Sequence, residues 1–197
     1  MLLFEKIKSQ NLRLILASQS PRRHSLMEGS GLKCDIVKYE VDESYPDTLE
    51  AGKVPEYLSQ LKGENYPEPL AQGEILITAD TVVICNNTIL GKPKDETEAC
   101  EMLSKISGRE HKVITGVTIR SKEKSVSFSC ESLVRFAPLT HEEITYYVTH
   151  YSPLDKAGSY GIQEWIGYIG IEGIQGSFYN VMGLPIQKLY NELNKFI

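Results

Sequence analysis

The amino-acid sequence predicts an α/β fold built on a mixed β-sheet with flanking helices. Residues 14–17 and 75–85 are apolar runs of strand length, and the second is rich in β-branched side chains. Residues 54–61 instead place apolar side chains at the i, i+3, i+4 and i+7 positions of a helix. Because strands and helices do not alternate strictly, a wholly parallel sheet is not expected. No linker, repeat or low-complexity tract divides the chain, which predicts a single domain over residues 1–197.

The first strand is expected to lead directly into a helix. Ser20 is a residue type favoured at the N-cap, and Pro21 suits the first helical position. The helix is then predicted over residues 22–28. Residues 34–41 alternate well enough to form the next strand, which ends in an acidic group made of Glu40, Asp42 and Glu43.

The middle of the chain predicts a loop, a long strand and a hairpin. Residues 63–73 contain two prolines and are expected to form the loop. The strand over residues 75–85 is predicted to turn at Asn86 and Asn87, because asparagine tolerates positive φ. A short strand over residues 88–90 completes the hairpin.

Two later helices are marked by capping signals. Asp95 with Glu98, and Thr140 with Glu143, each place a side-chain oxygen three residues before a glutamate. Apolar residues at helical spacing follow both pairs.

The remaining segments predict two strands and a less regular final third. Antiparallel strands are expected over residues 112–120 and 125–136, around a charged turn. Residues 152–183 are glycine-rich and irregular, with a strand-like stretch over residues 165–171. Pro185 begins a terminal amphipathic helix.

Composition favours a soluble protein with localised basic chemistry. The chain has 41% hydrophobic and 24% charged residues and a net charge of −5, so nothing favours nucleic acid or an anionic membrane as a partner. The first residues carry charges and no long apolar core, which predicts neither a signal peptide nor a membrane span. The four cysteines and four histidines lack metal-ligand spacing, which favours reduced thiols in a cytoplasm over zinc or a disulfide framework.

The first candidate site is the tract over residues 18–23, where a strand is followed by a helix. Arg22 and Arg23 add positive charge and bidentate donors to the positive end of the helix dipole, which suits a phosphate chain. Taken alone, a Ser-Pro-Arg-Arg tract is more often a solvated surface turn.

Two carboxylates form the second candidate site. Asp80 interrupts an apolar strand, where a carboxylate is costly to bury and runs against strand propensity. Glu40 ends the preceding predicted strand and could join Asp80 around a hard cation that also binds phosphate oxygens. An aspartate at a strand end and a solvated acidic loop are the alternatives.

Lysines and an amide complete the candidate set. Lys92 lies in a rigid Gly-Lys-Pro turn and Lys62 at a helix C-terminus, so with the two arginines they could neutralise a triphosphate. Surface charge is the alternative for both lysines. Gln163 ends a glycine-containing segment and offers both a donor and an acceptor to an edge such as that of uracil or thymine, or is an ordinary loop residue.

Seven motifs, in order along nearly the whole chain, resemble those of the Maf family of nucleotide pyrophosphatases. They are S-x-S-P-R-R at residues 18–23, E-V-D-E at 40–43, A-D-T-V-V at 79–83, G-K-P at 91–93, S-G-R-x-H at 107–111, L-D-K-A-G-x-Y-G-I-Q at 154–163 and V-M-G-L-P at 181–185. Each motif is weak alone, but seven in family order make chance agreement implausible.

The resemblance implies an elongated, curved mixed sheet with a cleft between two lobes, similar to the inosine-triphosphate pyrophosphatases. It implies hydrolysis of a nucleoside triphosphate between the α and β phosphates. The position matching Asp80 is the proton acceptor, and those matching Glu40 and Asp80 hold a divalent cation, Mg²⁺ or Mn²⁺. A homodimer is implied by the same analogy. Positions around the phosphates and base match Ser18, Arg22, Arg23, Lys62, Lys92 and Lys156.

Residues of the dTTP and UTP branch of the family match Arg22, Thr81 and Gln163, which favours these substrates. A 7-methyl-GTP pyrophosphatase of the same family and a non-catalytic, nucleotide-binding regulator of cell division are the alternatives. One departure follows Gln163. This chain has Glu164-Trp165-Ile166 where small or glycine-rich residues are more common, which predicts a bulkier pocket wall there.

Overall fold

Seven strands form one mixed sheet in the computed structural model, which describes all 197 residues. The strands are β1 (Arg13–Ala17), β2 (Asp35–Val37), β3 (Glu74–Cys85), β4 (Thr88–Leu90), β5 (Glu110–Arg120), β6 (Ser125–Phe136) and β7 (Ile171–Gln175). Their order is β2-β1-β3-β5-β6-β7, with β4 paired to β3 outside this path. β1 runs parallel to β2 and β3, whereas β3–β4 and β6–β7 are antiparallel pairs. The predicted mixed α/β fold is confirmed.

Eight α-helices accompany the sheet. They are α1 (Leu3–Ser9), α2 (Pro21–Gly29), α3 (Val54–Glu64), α4 (Glu96–Ile106), α5 (His141–Tyr151), α6 (Trp165–Gly170), α7 (Phe178–Met182) and α8 (Ile186–Phe196). Short 3₁₀ turns occur at Ala51–Lys53, Pro153–Asp155 and Ala157–Ser159. None of the helices combines the length and the apolar character needed to cross a membrane.

The chain divides into two compact units. Unit 1 comprises Met1–Asp80, Thr115–Cys130 and Gly183–Ile197, and unit 2 comprises Thr81–Ile114 and Glu131–Met182. A single domain over residues 1–197 stays a prediction.

In unit 1, α3 lies directly on the sheet at a glycine. A Cβ atom added to Gly116 of β5 would lie 2.2 Å from the Pro55 carbonyl oxygen and 2.3 Å from the Glu56 nitrogen. One turn further along α3, the Ser59 hydroxyl is 2.8 Å from Thr118 Oγ1 of β5. Because a side chain at position 116 has no room, the backbone of α3 is held against β5.

In unit 2, a continuous apolar core packs helices on the sheet. Leu103 and Ile106 of α4, Val134 of β6, Tyr147 of α5 and Ile166 of α6 are all fully buried within it. Burial of apolar side chains on this scale is the main term that stabilises a domain.

The local signals for turns and caps are confirmed. Asp95 accepts a hydrogen bond from the Glu98 nitrogen at 2.8 Å. Thr140 and Glu143 form the reciprocal box, in which Thr140 Oγ1 accepts from the Glu143 nitrogen at 3.2 Å and the glutamate accepts from the Thr140 nitrogen at 2.7 Å. The turn before β4 has φ values of +50° at Asn86 and +61° at residue 87.

Strand β2 is shorter than predicted. The sequence predicts a strand over residues 34–41, but only Asp35–Val37 is paired. β2 is short because its partner β1 pairs with it only through Ile15–Ala17, before the chain turns into α2.

The strand predicted over residues 165–171 is wrong, because Trp165–Gly170 is α6 and β7 begins at Ile171. Short apolar segments fit helical and extended periods equally well. A Cβ atom added to Gly167 would lie 1.9 Å from the Ile162 carbonyl oxygen. The missing side chain therefore lets the helix pack against the turn before it.

Helix α1 was not among the predicted elements. It is held by a distant partner, since the Leu3 nitrogen donates to Tyr190 Oη of α8 at 3.1 Å and the Leu3 side chain is buried. No local pattern in the sequence indicates this contact.

Candidate functional site

The best-defined polar group of unit 1 lies where α3 covers β3. Thr78 and Asp80 are two residues apart on β3, so their side chains share one face of the strand. Thr78 Oγ1 donates to the Ser59 carbonyl oxygen at 2.6 Å, and Lys62 Nζ donates to Asp80 Oδ1 at 2.6 Å. The helix thus places Lys62, at its predicted C-terminal end, directly over Asp80.

A second carboxylate joins this pair. Lys62 Nζ lies 3.0 Å from Glu43 Oε1, so one ammonium group contacts two carboxylates. The side chains of Lys62 and Asp80 are only 16% and 13% exposed, whereas that of Glu43 is 50% exposed. We refer to Glu43, Lys62 and Asp80 as the charge cluster.

Arg23 lies beside the charge cluster and is held by the backbone. Its Nε donates to the Gly183 carbonyl oxygen and its Nη1 to that of Ala79, both at 2.8 Å. Pairing between β1 and β3 ends at Thr78, so the guanidinium reaches the first carbonyl beyond that pairing. Burial lowers the pKa of Arg23 and the negative charge of Asp80 opposes this shift. Arginine still keeps its charge at neutral pH.

The loop before α2 is organised by Ser18 rather than Ser20. Ser20 occupies the predicted N-cap position, but its side chain makes no capping hydrogen bond. Instead the buried Ser18 accepts from the Ser20 nitrogen at 3.1 Å through Oγ, and its carbonyl oxygen lies 2.8 Å from His24 Nε2. Arg22 is half-buried in the first turn of α2, next to Arg23.

Unit 2 assembles a different set of the predicted residues around Gly158. Its nitrogen donates to the Gly91 carbonyl oxygen at 3.1 Å, which ties the segment to the turn that carries the exposed Lys92. An added Cβ atom on Gly158 would lie 2.9 Å from the Val83 side chain, and φ is +67°. Thr81, at the start of this unit on β3, is half-buried.

The buried Lys156 forms ion pairs with residues on both sides of Gly158. Lys156 is 7% exposed, and its Nζ lies 2.8 Å from Asp155 Oδ1 and 3.2 Å from Glu164 Oε1. The neighbouring Gln163 buries its Oε1 without a hydrogen-bond partner. A buried acceptor without a donor is costly, so this oxygen is suited to a ligand that donates a hydrogen bond.

The family model described as Maf-like protein matches residues 13–196. The chain belongs to the Maf family. Curated relatives that bear the name dTTP/UTP pyrophosphatase match most of the chain. The protein of Bacteroides fragilis is 51% identical over 185 residues, which cover 93% of this chain and 95% of the relative. That of Bacteroides thetaiotaomicron is 52% identical over 184 residues, with coverage of 93% and 95%, and that of Porphyromonas gingivalis is 52% identical over 187 residues, with coverage of 93% and 94%.

Among solved structures, the Ham1 protein of Staphylococcus aureus matches this Maf chain with a TM-score of 0.55 at 14% sequence identity. The match covers 94% of this chain and all of the Ham1 chain. At this level of identity the likeness concerns the fold alone.

The carboxylates of the charge cluster fit a hard divalent cation. Lys62 shows that Glu43 and Asp80 can share one positive charge, and carboxylate oxygens are the ligands that Mg²⁺ prefers. The protein has no group of three or more His, Cys, Asp or Glu side chains placed to hold a metal ion. Magnesium commonly takes one or two protein carboxylates and completes its shell with water and phosphate oxygens.

Glu43 and Asp80 share Lys62 as an ion-pair partner. Glu40 is exposed in the segment after β2, and its role as a metal ligand stays a prediction. Glu43 belongs to the same acidic motif as Glu40, so the motif indicated an acidic site at this position. The motif could not predict the ion pair between Glu43 and Lys62. The second missed residue is Glu164, and no sequence motif indicates its ion pair with Lys156.

Proposed function

We propose that this protein hydrolyses dTTP and UTP to the corresponding monophosphate and pyrophosphate. Relatives that are about half identical over nearly their whole length carry the name dTTP/UTP pyrophosphatase. All seven motifs that resemble those of the family lie within residues 13–196, which the family model matches.

The observation that carries the proposal is the charge cluster. Asp80 is buried on β3, and its carboxylate is held by Lys62 at 2.6 Å. A carboxylate kept in place beside a positive charge provides both a proton acceptor and a site for anionic substrate.

In the proposed reaction Asp80 accepts a proton from a water molecule as the water oxygen attacks the α-phosphorus in line. The bond between this phosphorus and the oxygen bridging to the β-phosphorus breaks, and pyrophosphate leaves with the bonding electrons. Phosphoryl transfer depends mainly on positioning and on stabilising charge. Lys62 and Arg23 supply that positive charge in unit 1.

We further propose that Mg²⁺ or Mn²⁺ is held by Asp80 with Glu40 or Glu43. Such a cation would neutralise negative charge on the phosphate oxygens. The carboxylates of this chain would hold it, and Lys62 would exchange one carboxylate contact for a phosphate oxygen as substrate binds.

For base selection we propose that Gln163 Oε1 accepts a hydrogen bond from N3–H of uracil or thymine. This oxygen is buried and has no protein donor. Arg22 and Thr81 are proposed to contribute to selection, and Ser18, Lys92 and Lys156 to substrate binding. Their support is their match to the family's motifs.

A nucleotide panel tests the proposed function. Pyrophosphate release with magnesium is measured for dTTP, UTP, CTP, GTP and 7-methyl-GTP, with product identity checked by chromatography. We expect the highest kcat/KM for dTTP and UTP, no release after chelation of the metal, and recovery with Mg²⁺ or Mn²⁺.

Two results would contradict the proposal. Equal or faster turnover of 7-methyl-GTP would assign the chain to the other substrate branch. Tight binding of dTTP or UTP without cleavage in the presence of magnesium would instead favour a nucleotide-binding regulator.

The assembly and location of the protein are separate proposals. We propose a homodimer by analogy with the family, which light scattering on the purified protein tests. We also propose a cytoplasmic location, because all four cysteines are free thiols, as is usual in a reducing compartment. Cell fractionation tests the location.

A further inference from the structure

We propose that Tyr147 and Glu164 are positioning residues that fix the amide of Gln163 for base selection. This inference rests on the proposed function and extends it, since it concerns what holds the base-reading group in place. All of the contacts that support it lie within unit 2.

Gln163 occupies the third position of a tight turn. The Glu164 nitrogen donates to the Gly161 carbonyl oxygen at 3.0 Å, which closes a four-residue turn. A turn of this kind fixes the backbone at its third residue, and therefore the direction in which the Gln163 side chain leaves it.

Tyr147 of α5 holds both ends of that turn. Its Oη accepts from the Gly161 nitrogen at 2.9 Å and donates to Glu164 Oε2. Tyr147 is fully buried, and burial together with the hydrogen bond to Glu164 raises the pKa of its hydroxyl above the usual range. The phenol therefore stays protonated and remains a donor at any physiological pH.

Glu164 connects the turn to the buried cation. Its Oε2 accepts from Tyr147, while its Oε1 lies 3.2 Å from Lys156 Nζ. Each carboxylate oxygen thus has its own partner, and both partners are buried. A doubly held carboxylate has little rotational freedom, which immobilises the residue that follows Gln163.

The turn also has no room for a side chain at Gly161. An added Cβ atom would lie 2.8 Å from Glu164 Cδ and 3.0 Å from Gln163 Nε2. Both side chains are therefore packed over the same glycine, and the unpaired Gln163 Oε1 is held by this packing. Glu164, at a position where small residues are more common in the family, therefore supports the Gln163 amide in addition to the turn that holds the Gln163 backbone.

Selectivity between UTP and CTP reports on this positioning, because N3 of uracil is a donor and N3 of cytosine an acceptor. We compare kcat/KM for both nucleotides in the wild type, Tyr147→Phe and Glu164→Gln. Tyr147→Phe keeps the ring but loses both hydrogen bonds, and we expect the UTP-to-CTP ratio to fall about tenfold. Glu164→Gln keeps an acceptor for Tyr147, so we expect a fall of about threefold.

Tyr151→Phe is the matched control, because Tyr151 stacks on Tyr147 from the same helix but is partly exposed. We expect this variant to keep the UTP-to-CTP ratio of the wild type. A variant that lowers the rates on UTP and CTP by one factor, or changes neither, overturns the positioning role of that residue. If Tyr147→Phe does not fold, as judged by its melting temperature, Glu164→Gln decides. Wild-type protein that hydrolyses neither nucleotide contradicts the proposed function, whereas a selective wild type with unchanged variants contradicts only this inference.

Discussion

The polar groups of the two units are held in different ways. In unit 1 the charge cluster is held by side chains of opposite charge, and Glu43 remains half-exposed. In unit 2, Gln163 is held by a backbone turn, one phenol and a glycine, and its acceptor atom is left without a partner.

The difference matches the two demands that the proposed reaction makes. Groups that act on a phosphate chain must change partners as substrate binds and leaves. The Lys62–Glu43 ion pair suits this demand, because Glu43 is half-exposed and an ion pair near solvent exchanges at little cost. A group that discriminates between bases must keep its direction, and an unpaired buried acceptor penalises a ligand that cannot donate to it.

Removal of the proton acceptor should produce the largest effect and test the catalytic side of the comparison. Asp80→Asn keeps the size of the side chain but cannot take a proton from water, so kcat should fall by about 10³-fold. Pyrophosphate release measures the rate, and calorimetry should show that nucleotide binding is retained. Asp35→Asn, at an exposed carboxylate paired with Arg13, is the control that should keep full activity. Near-normal turnover of Asp80→Asn would remove this residue from the mechanism.

A glycine substitution tests whether unit 2 depends on its backbone. Gly158→Ala adds a Cβ atom 2.9 Å from the Val83 side chain at a φ of +67°, and we expect a loss of about 3 kcal/mol in the free energy of unfolding. Urea denaturation measures it. Gly29→Ala is the matched control, because an added Cβ there meets nothing within 4 Å, and it should be neutral or slightly stabilising. Equal stability of the two variants would contradict the tight packing at Gly158.

The smallest expected effect concerns the buried imidazole of unit 2. Burial lowers the pKa of His111 to about 4, below its usual value of 6.5, and the ring contacts Tyr160 Oη at 2.8 Å. Between pH 6.5 and pH 4 the unfolded chain therefore binds a proton at His111 that the folded protein does not bind. The contribution of the neutral imidazole to stability is complete above pH 6.5 and is lost as the pH falls towards 4. Because of this shift, we expect the free energy of unfolding to be about 2 kcal/mol lower at pH 5 than at pH 7.5.

Urea denaturation of His111→Phe at the two pH values tests this expectation. Phenylalanine keeps the contact with the Phe136 ring but cannot titrate, so the variant should lose less stability at pH 5 than the wild type does. The exposed His141 provides the control, and His141→Phe should follow the wild type. Identical pH dependence in all three proteins would show that His111 is not the titrating group.

Much of the fold was predictable because its signals are local. The caps at Asp95 and Thr140 and the turn after β3 depend on residues at most four positions apart. Asp80 was identifiable because a carboxylate inside an apolar strand conflicts with its surroundings.

The remaining features depend on partners that are distant in the chain. The short length of β2 follows from where β1 ends, and α1 is held by Tyr190. Helix α6 was mistaken for a strand because six residues are too few to separate the two periodicities. Glu43 belongs to the charge cluster only because α3 brings Lys62 to it.

Gly116 has no functional group, yet the proposed reaction depends on this residue. Its missing side chain sets the distance between β5 and α3, and α3 carries the ammonium that contacts Asp80. A screen for inactive variants would therefore recover position 116 together with the charged residues. A variant at position 116 would lose activity as a catalytic mutant does, although the cause would be a larger distance between α3 and β5.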